Sequence, residues 1–126
     1  DRTSIRPPHR HAGEFIWPPA SNHFGWSALL GHAPGRDDVS PYAAAARATD
    51  LADLPPTYLM TGALDLFVDE NIDYARRLVA AGVPTEFHLY PGAFHGFDLA
   101  PDAAVAQQAR ADRLAALRRA LAPARA

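Results

Sequence analysis

The clearest pattern along the chain lies between residues 57 and 90. Thr57-Tyr58-Leu59-Met60-Thr61-Gly62 is an unbroken β-prone run behind Pro55-Pro56, of the kind that a parallel sheet buries. Asp69-Glu70 then places negative charge at the positive end of a helix dipole, Ile72, Ala75, Leu78 and Val79 share one helical face, and Gly82 with Pro84 stops the element. From Thr85 to Tyr90 the pattern alternates, with Phe87 and Leu89 on one side and Glu86 and His88 on the other. Alternation predicts a second, less buried strand suited to an edge. Strand, helix and strand in this order predict a right-handed β-α-β unit with parallel strands.

The flanks are less regular. Residues 1–20 are rich in Pro, His and Arg and read as an irregular surface segment, with Phe15, Ile16 and Trp17 expected to pin it to a core. Ser21 and Asn22 are both suitable N-caps for a short helix running to Gly31. Pro34 to Asp38 is turn chemistry, and Ala43 to Arg47 is at most one helical turn. Pro91-Gly92 ends the second strand, and residues 102–121 are Ala-rich, which predicts a final helix that buries Leu114, Leu117 and Leu121 along one stripe and packs back on the β-α-β unit.

Composition changes this picture only at its limits. The chain has 126 residues, 48% of them hydrophobic and 21% charged, a balance that fits one packed globular domain and argues against disorder. A net charge of -2 offers no electrostatic attraction for nucleic acid or anionic lipid. With no cysteine, disulfides, thiolate ligands and a cysteine nucleophile are excluded. No run reaches the ~18 apolar residues of a membrane span, and residues 1–8 do not resemble a secretory signal, so a cytoplasmic location is the expectation. The charged start without an initiating Met leads to the expectation of a processed chain or a piece of a longer one. Two strands are also too few for a stable parallel sheet, which implies further strands from another segment or another subunit.

Chemistry concentrates on the two loops that leave the carboxyl ends of the strands, where open α/β sheets gather functional side chains. The first loop carries Asp65 and the second carries His95. Taken alone, Asp65 reads equally as a helix-initiating loop acid, and His95 as a turn residue. Asp69 and Glu70 read as helix-capping charges. His9 and His11 are near neighbours but lack further ligands at a metal-binding spacing. His23, His32 and His88 read as surface or loop histidines. Phe15, Trp17, Phe24 and Trp26 read either as packing aromatics or as a wall for an acyl group.

Several segments, in order, resemble the esterases and lipases of the α/β-hydrolase superfamily that are like hormone-sensitive lipase. They are Ser40-Pro41-Tyr42, Asp53-Leu54-Pro55-Pro56-Thr57, Gly62-Ala63-Leu64-Asp65 with Asp69-Glu70, Ala81-Gly82-Val83-Pro84, and Tyr90-Pro91-Gly92 ahead of His95-Gly96-Phe97. Leu66 stands where many members have Pro. The resemblance implies the C-terminal portion of an α/β-hydrolase fold, with the last two parallel strands and their flanking helices present and the N-terminal strands absent. It also implies a carboxylic-ester hydrolase working through an acyl-enzyme, with Asp65 as triad acid, His95 as triad base, a small-molecule ester as substrate and no metal or cofactor.

The family's Gly-x-Ser-x-Gly elbow and His-Gly-Gly segment do not occur in the chain. Gly25-Trp26-Ser27-Ala28-Leu29 approaches the elbow, but Leu29 occupies its second glycine position and no strand-like run precedes it. Three readings remain open from sequence. The chain is an acid-base portion whose nucleophile lies elsewhere, or an inactive partial domain serving as an oligomerisation or partner-binding module, or an unusual esterase using Ser27.

Overall fold

The computed structural model describes residues 1–122, so residues 123–126 of the expected domain lie outside the described residues. Residues 1–95 form one compact unit, and the described residues from Gly96 onward form a second. The first unit is built on a two-stranded parallel sheet, β1 (Thr57–Gly62) and β2 (Thr85–Tyr90), with Thr57 opposite Thr85 and Gly62 opposite Tyr90. Helix α2 (Val68–Ala80) connects them. Both strands and the helix fall where the hydrophobic pattern puts them.

The burial differs from the pattern in an informative way. In β1 only Thr61 and Gly62 are buried, the preceding four residues being half-buried. A run that apolar would be covered on both faces in a wide sheet; here each strand has one hydrogen-bonded neighbour. On α2 the buried positions are Val68, Ala75 and Leu78, while Ile72 and Val79, expected on the buried face, are 42% and 61% exposed. A narrow sheet covers a narrow arc of helix. The local core is Leu51, Leu78 and Val83 with Ala48 and Tyr74 packed against it, so the loop before β1 closes over the end of α2.

Helix α1 (Pro19–Leu30) ends at Gly31 in the left-handed conformation, as the sequence suggests. Its start differs. Pro18 takes the extended N-cap position and Pro19 the first turn, where a missing N–H costs nothing. Asn22 is therefore inside the helix and buried. The short helical turn near residue 45 is a 3-10 turn, Ala45–Arg47. Arg47 makes a bidentate, buried ion pair with Asp1, at 2.8 and 2.7 Å, and Asp1 also accepts the Gly35 N–H at 2.9 Å.

Phe15 and Ile16 do not pin the first segment to a core, being 48% and 67% exposed. That segment is held by ring contacts, Phe15 with Phe94 at 5.5 Å and Trp17 with His95 at 5.9 Å, and by polar contacts, among them Gly13 N–H to the Leu64 carbonyl at 3.1 Å.

In the second unit, helix α3 (Ala104–Leu121) follows a 3-10 turn at Phe97–Leu99. Arg110 donates to the Asp98 carbonyl at 2.7 Å. The expected leucine stripe is not buried: Leu114, Leu117 and Leu121 are all exposed, and the buried positions are Ala106 and Ala109. Leucine spacing marks a face able to be covered; within the described residues nothing covers it.

Candidate active site

Two loops, one after each strand, meet at the carboxyl end of the sheet. Their approach depends on Gly62, because a Cβ there would sit 2.2 Å from the Ala93 carbonyl oxygen, a distance no side-chain carbon can occupy. Backbone hydrogen bonds fasten the two loops, Ala63 N–H to the Tyr90 carbonyl and Leu64 N–H to the Ala93 carbonyl, both at 2.9 Å. The loops thus hold each other, and with them Asp65 and His95.

Asp65 sits in the turn between β1 and α2 and is buried. Its Oδ1 accepts the Phe67 N–H at 2.9 Å, which orients the carboxylate and satisfies a backbone donor at the start of α2. The other oxygen, Oδ2, is 3.1 Å from His95 Nδ1. A carboxylate only accepts, so the proton of this hydrogen bond belongs to Nδ1. In neutral imidazole Nε2 is then the lone-pair nitrogen. The backbone turns sharply after His95 because Gly96 adopts φ 73°, a left-handed conformation open to glycine at little cost.

The imidazole is packed between two aromatic rings. Trp17 lies with its centroid 5.9 Å away and Phe67 makes an edge contact at 5.6 Å. Trp17 is fixed in turn: its Nε1–H donates to Asn22 Oδ1 at 3.2 Å, and Asn22 Nδ2 donates to Ser4 Oγ at 2.8 Å. Trp17, Asn22, Gly25, Trp26, Leu29, Phe67 and His95 line a cavity of about 410 Å³.

The other residues singled out in the sequence lie elsewhere. Asp69 and Glu70 occupy the first turn of α2, and Glu70 accepts a hydrogen bond from Thr3. Ser27 is in the middle of α1, its Oγ donating to the His23 carbonyl at 2.8 Å, with none of the strand-to-helix strain of a nucleophile elbow. His88 faces Glu86 at 2.8 Å and rests against Tyr58 and Tyr90. His9 Nδ1 accepts the His11 N–H, and among the described residues no group of three or more His, Asp or Glu is placed to hold a metal ion. No helix of the described residues is long and apolar enough to cross a membrane. Phe24 is exposed, whereas Trp17 and Trp26 form part of the cavity wall. Sequence reasoning missed Asn22 and Phe67: Asn22 reads as a cap, and its partner Ser4 is too distant along the chain for any local pattern to announce.

A family model described as an alpha/beta hydrolase fold matches residues 1–99. The carboxylesterase NlhH of Mycobacterium tuberculosis is 36% identical over 98 residues, 74% of this chain and 31% of that protein. Among solved structures, a bacterial heroin esterase superposes with a TM-score of 0.78 at 45% identity, over 85% of this chain and 35% of its own. The esterase LipW from Mycobacterium marinum gives a TM-score of 0.76 at 36% identity, over 93% of this chain and 38% of its own. The chain spans about a third of the length of these relatives. With the ordered segments from Ser40 to Phe97, the two parallel strands and the family match all in agreement, the chain belongs to the α/β-hydrolase family.

Proposed function

We propose that this chain supplies the acid and the base of a carboxylic-ester hydrolase, Asp65 and His95, to a serine carried by residues outside it. The observation that carries the reading is the 3.1 Å contact of His95 Nδ1 with Asp65 Oδ2 on the rim of an apolar cavity. Asp65 holds the tautomer and stabilises the imidazolium that forms when Nε2 takes the serine proton. The serine oxygen then bonds to the ester carbonyl carbon, and His95 returns the proton to the departing alcohol. In the second half-reaction Nε2 takes a proton from water, whose oxygen bonds to the acyl carbon; the bond to the serine oxygen breaks, His95 returns the proton to that oxygen, and the acid is released. The esterase relatives support the reaction class, and their length, about three times that of this chain, leaves room for the nucleophile.

The test is hydrolysis of short p-nitrophenyl esters by the chain alone and by the chain co-expressed with the nucleophile-bearing remainder of an esterase relative. Expected outcomes are no turnover above background for the chain alone and recovery on complementation. In the complemented enzyme His95→Ala should lower kcat by about 10⁶ and Asp65→Asn by about 10⁴, the losses seen when a triad loses its base or its tautomer control. Complemented activity indifferent to His95→Ala would sink the assignment.

One observation favours a second, non-enzymatic reading. Among the described residues the sheet is two strands wide, and the edges of so narrow a sheet are templates for strand addition. A module that binds a partner or a second copy through such an edge would elute above monomer mass at micromolar concentration; a monodisperse monomer that adds no partner strand would exclude it.

A further inference from the structure

The cavity beside His95 has a composition that selects what enters it. Its walls are the rings of Trp17, Trp26 and Phe67 with the Leu29 side chain, and His95 lies at its edge. Asn22 is the one carboxamide in the lining, and its group is committed: Oδ1 to the Trp17 indole, Nδ2 to Ser4. It therefore has little to offer a hydroxylated or charged group, while the aromatic rings offer flat apolar faces. At about 410 Å³ this open cleft lies near the small end of the 300–1,000 Å³ range of ligand sites, room enough for one ring.

Gly25 adds an independent observation. It lies within α1, where glycine costs roughly 1 kcal/mol relative to alanine, and its φ is not in the positive range that would require glycine. An added Cβ would meet only the Trp17 ring, at 3.6 Å, an ordinary contact. What glycine leaves is open floor next to the indole, so the residue serves the cavity at the expense of the helix.

We propose that this cavity seats a compact aryl group of the ester, so that aryl esters are the preferred substrates over esters of polar alcohols. The substrate side of this inference rests on His95 being the catalytic base; the binding side does not, and the two are separable by experiment. Trp17 and Trp26 are the two tryptophans of the chain, so its two side-chain indole N–H signals in a ¹H–¹⁵N spectrum both report on the cavity. The full chain is titrated with phenyl acetate and, separately, with glycerol triacetate, which share the acetyl group and differ in what else the cavity must hold.

The expected result is saturable movement of both indole signals with phenyl acetate, at least about fivefold weaker with glycerol triacetate, the scale of one aromatic contact. Gly25→Leu, which fills the floor while favouring the helix, should weaken the response to phenyl acetate about tenfold or more with the far-ultraviolet dichroism unchanged. If that variant fails to fold, Gly25→Ala should show a smaller loss in the same direction. Indoles that stay still, two esters that bind alike, or a folded Gly25→Leu that binds like the parent would each overturn the proposal. Silent indoles beside His95-dependent hydrolysis in the complemented enzyme would remove the aryl pocket alone. A response intact in an enzyme whose hydrolysis ignores His95 would support the pocket and remove the acid-base reading.

Discussion

Gly62 shows how much a single residue position can decide. The Ala93 carbonyl passes so close to its Cα that alanine at 62 would place a carbon 2.2 Å from that oxygen and 2.6 Å from its carbon. Neither neighbour is a flexible side-chain tip, so the strain can only be relieved by parting the loops that carry Asp65 and His95. Gly62→Ala is expected to destabilise the chain by about 3 kcal/mol, the upper part of the overpacking range, read as a fall in Tm. In the complemented esterase it should lower kcat by more than any stability loss explains, because the loop contacts that align Asp65 with His95 part first. The glycine is visible in the sequence, as the last residue of the first strand. That it is required by contact with a carbonyl 31 positions later is not legible, since no local pattern encodes which backbone will pass over it.

At the scale of elements, the strand, helix and strand from Thr57 to Tyr90 follow the hydrophobic pattern, and the depth of burial does not. Helical periodicity ranks Ile72, Ala75, Leu78 and Val79 together, whereas the structure leaves Leu78 fully buried and Val79 61% exposed. The adjacent pair gives a direct test by thermal or denaturant unfolding of this chain. Leu78→Ala should cost about 3 kcal/mol through lost transfer energy and the void left behind, while Val79→Ala should stay within about 0.5 kcal/mol. The same reasoning covers α3, where Leu114, Leu117 and Leu121 have core spacing and remain exposed. A periodic pattern fixes which residues point the same way; only the surface facing them fixes whether they leave water.

At the scale of the whole molecule, polar ties carry contacts that a larger core would otherwise make. The Asp1–Arg47 pair joins positions 46 apart, with both side chains buried, and Arg77 bonds the Ala46 and Ala48 carbonyls at 2.7 Å, tying the loop before β1 to α2. Removing one member of a buried pair strands the other charge, which typically costs about 3–5 kcal/mol. Arg47→Met is accordingly expected to lower the unfolding free energy by about that amount, measured in urea, and by more than Arg36→Met, whose partner Asp38 is in open solvent. Neither tie was visible in advance: Asp1 and Arg47 are one of many possible pairings in a chain with 12 basic and 14 acidic residues, and the carbonyls that Arg77 meets leave no mark on the sequence.

By itself the sequence determined the elements, their order and the family, because hydrophobic period, proline and glycine punctuation and ordered short motifs are local properties of the chain. It also singled out Asp65 and His95 as candidates, through their position after the strands. Only the tertiary structure decided that these two side chains lie in hydrogen-bonding contact, that Trp17 and Phe67 flank the imidazole, and that Asn22 leaves its expected capping role to fix an indole. Those are relations between distant segments, set by register, loop contact and the width of the sheet, and no pattern along one segment contains them.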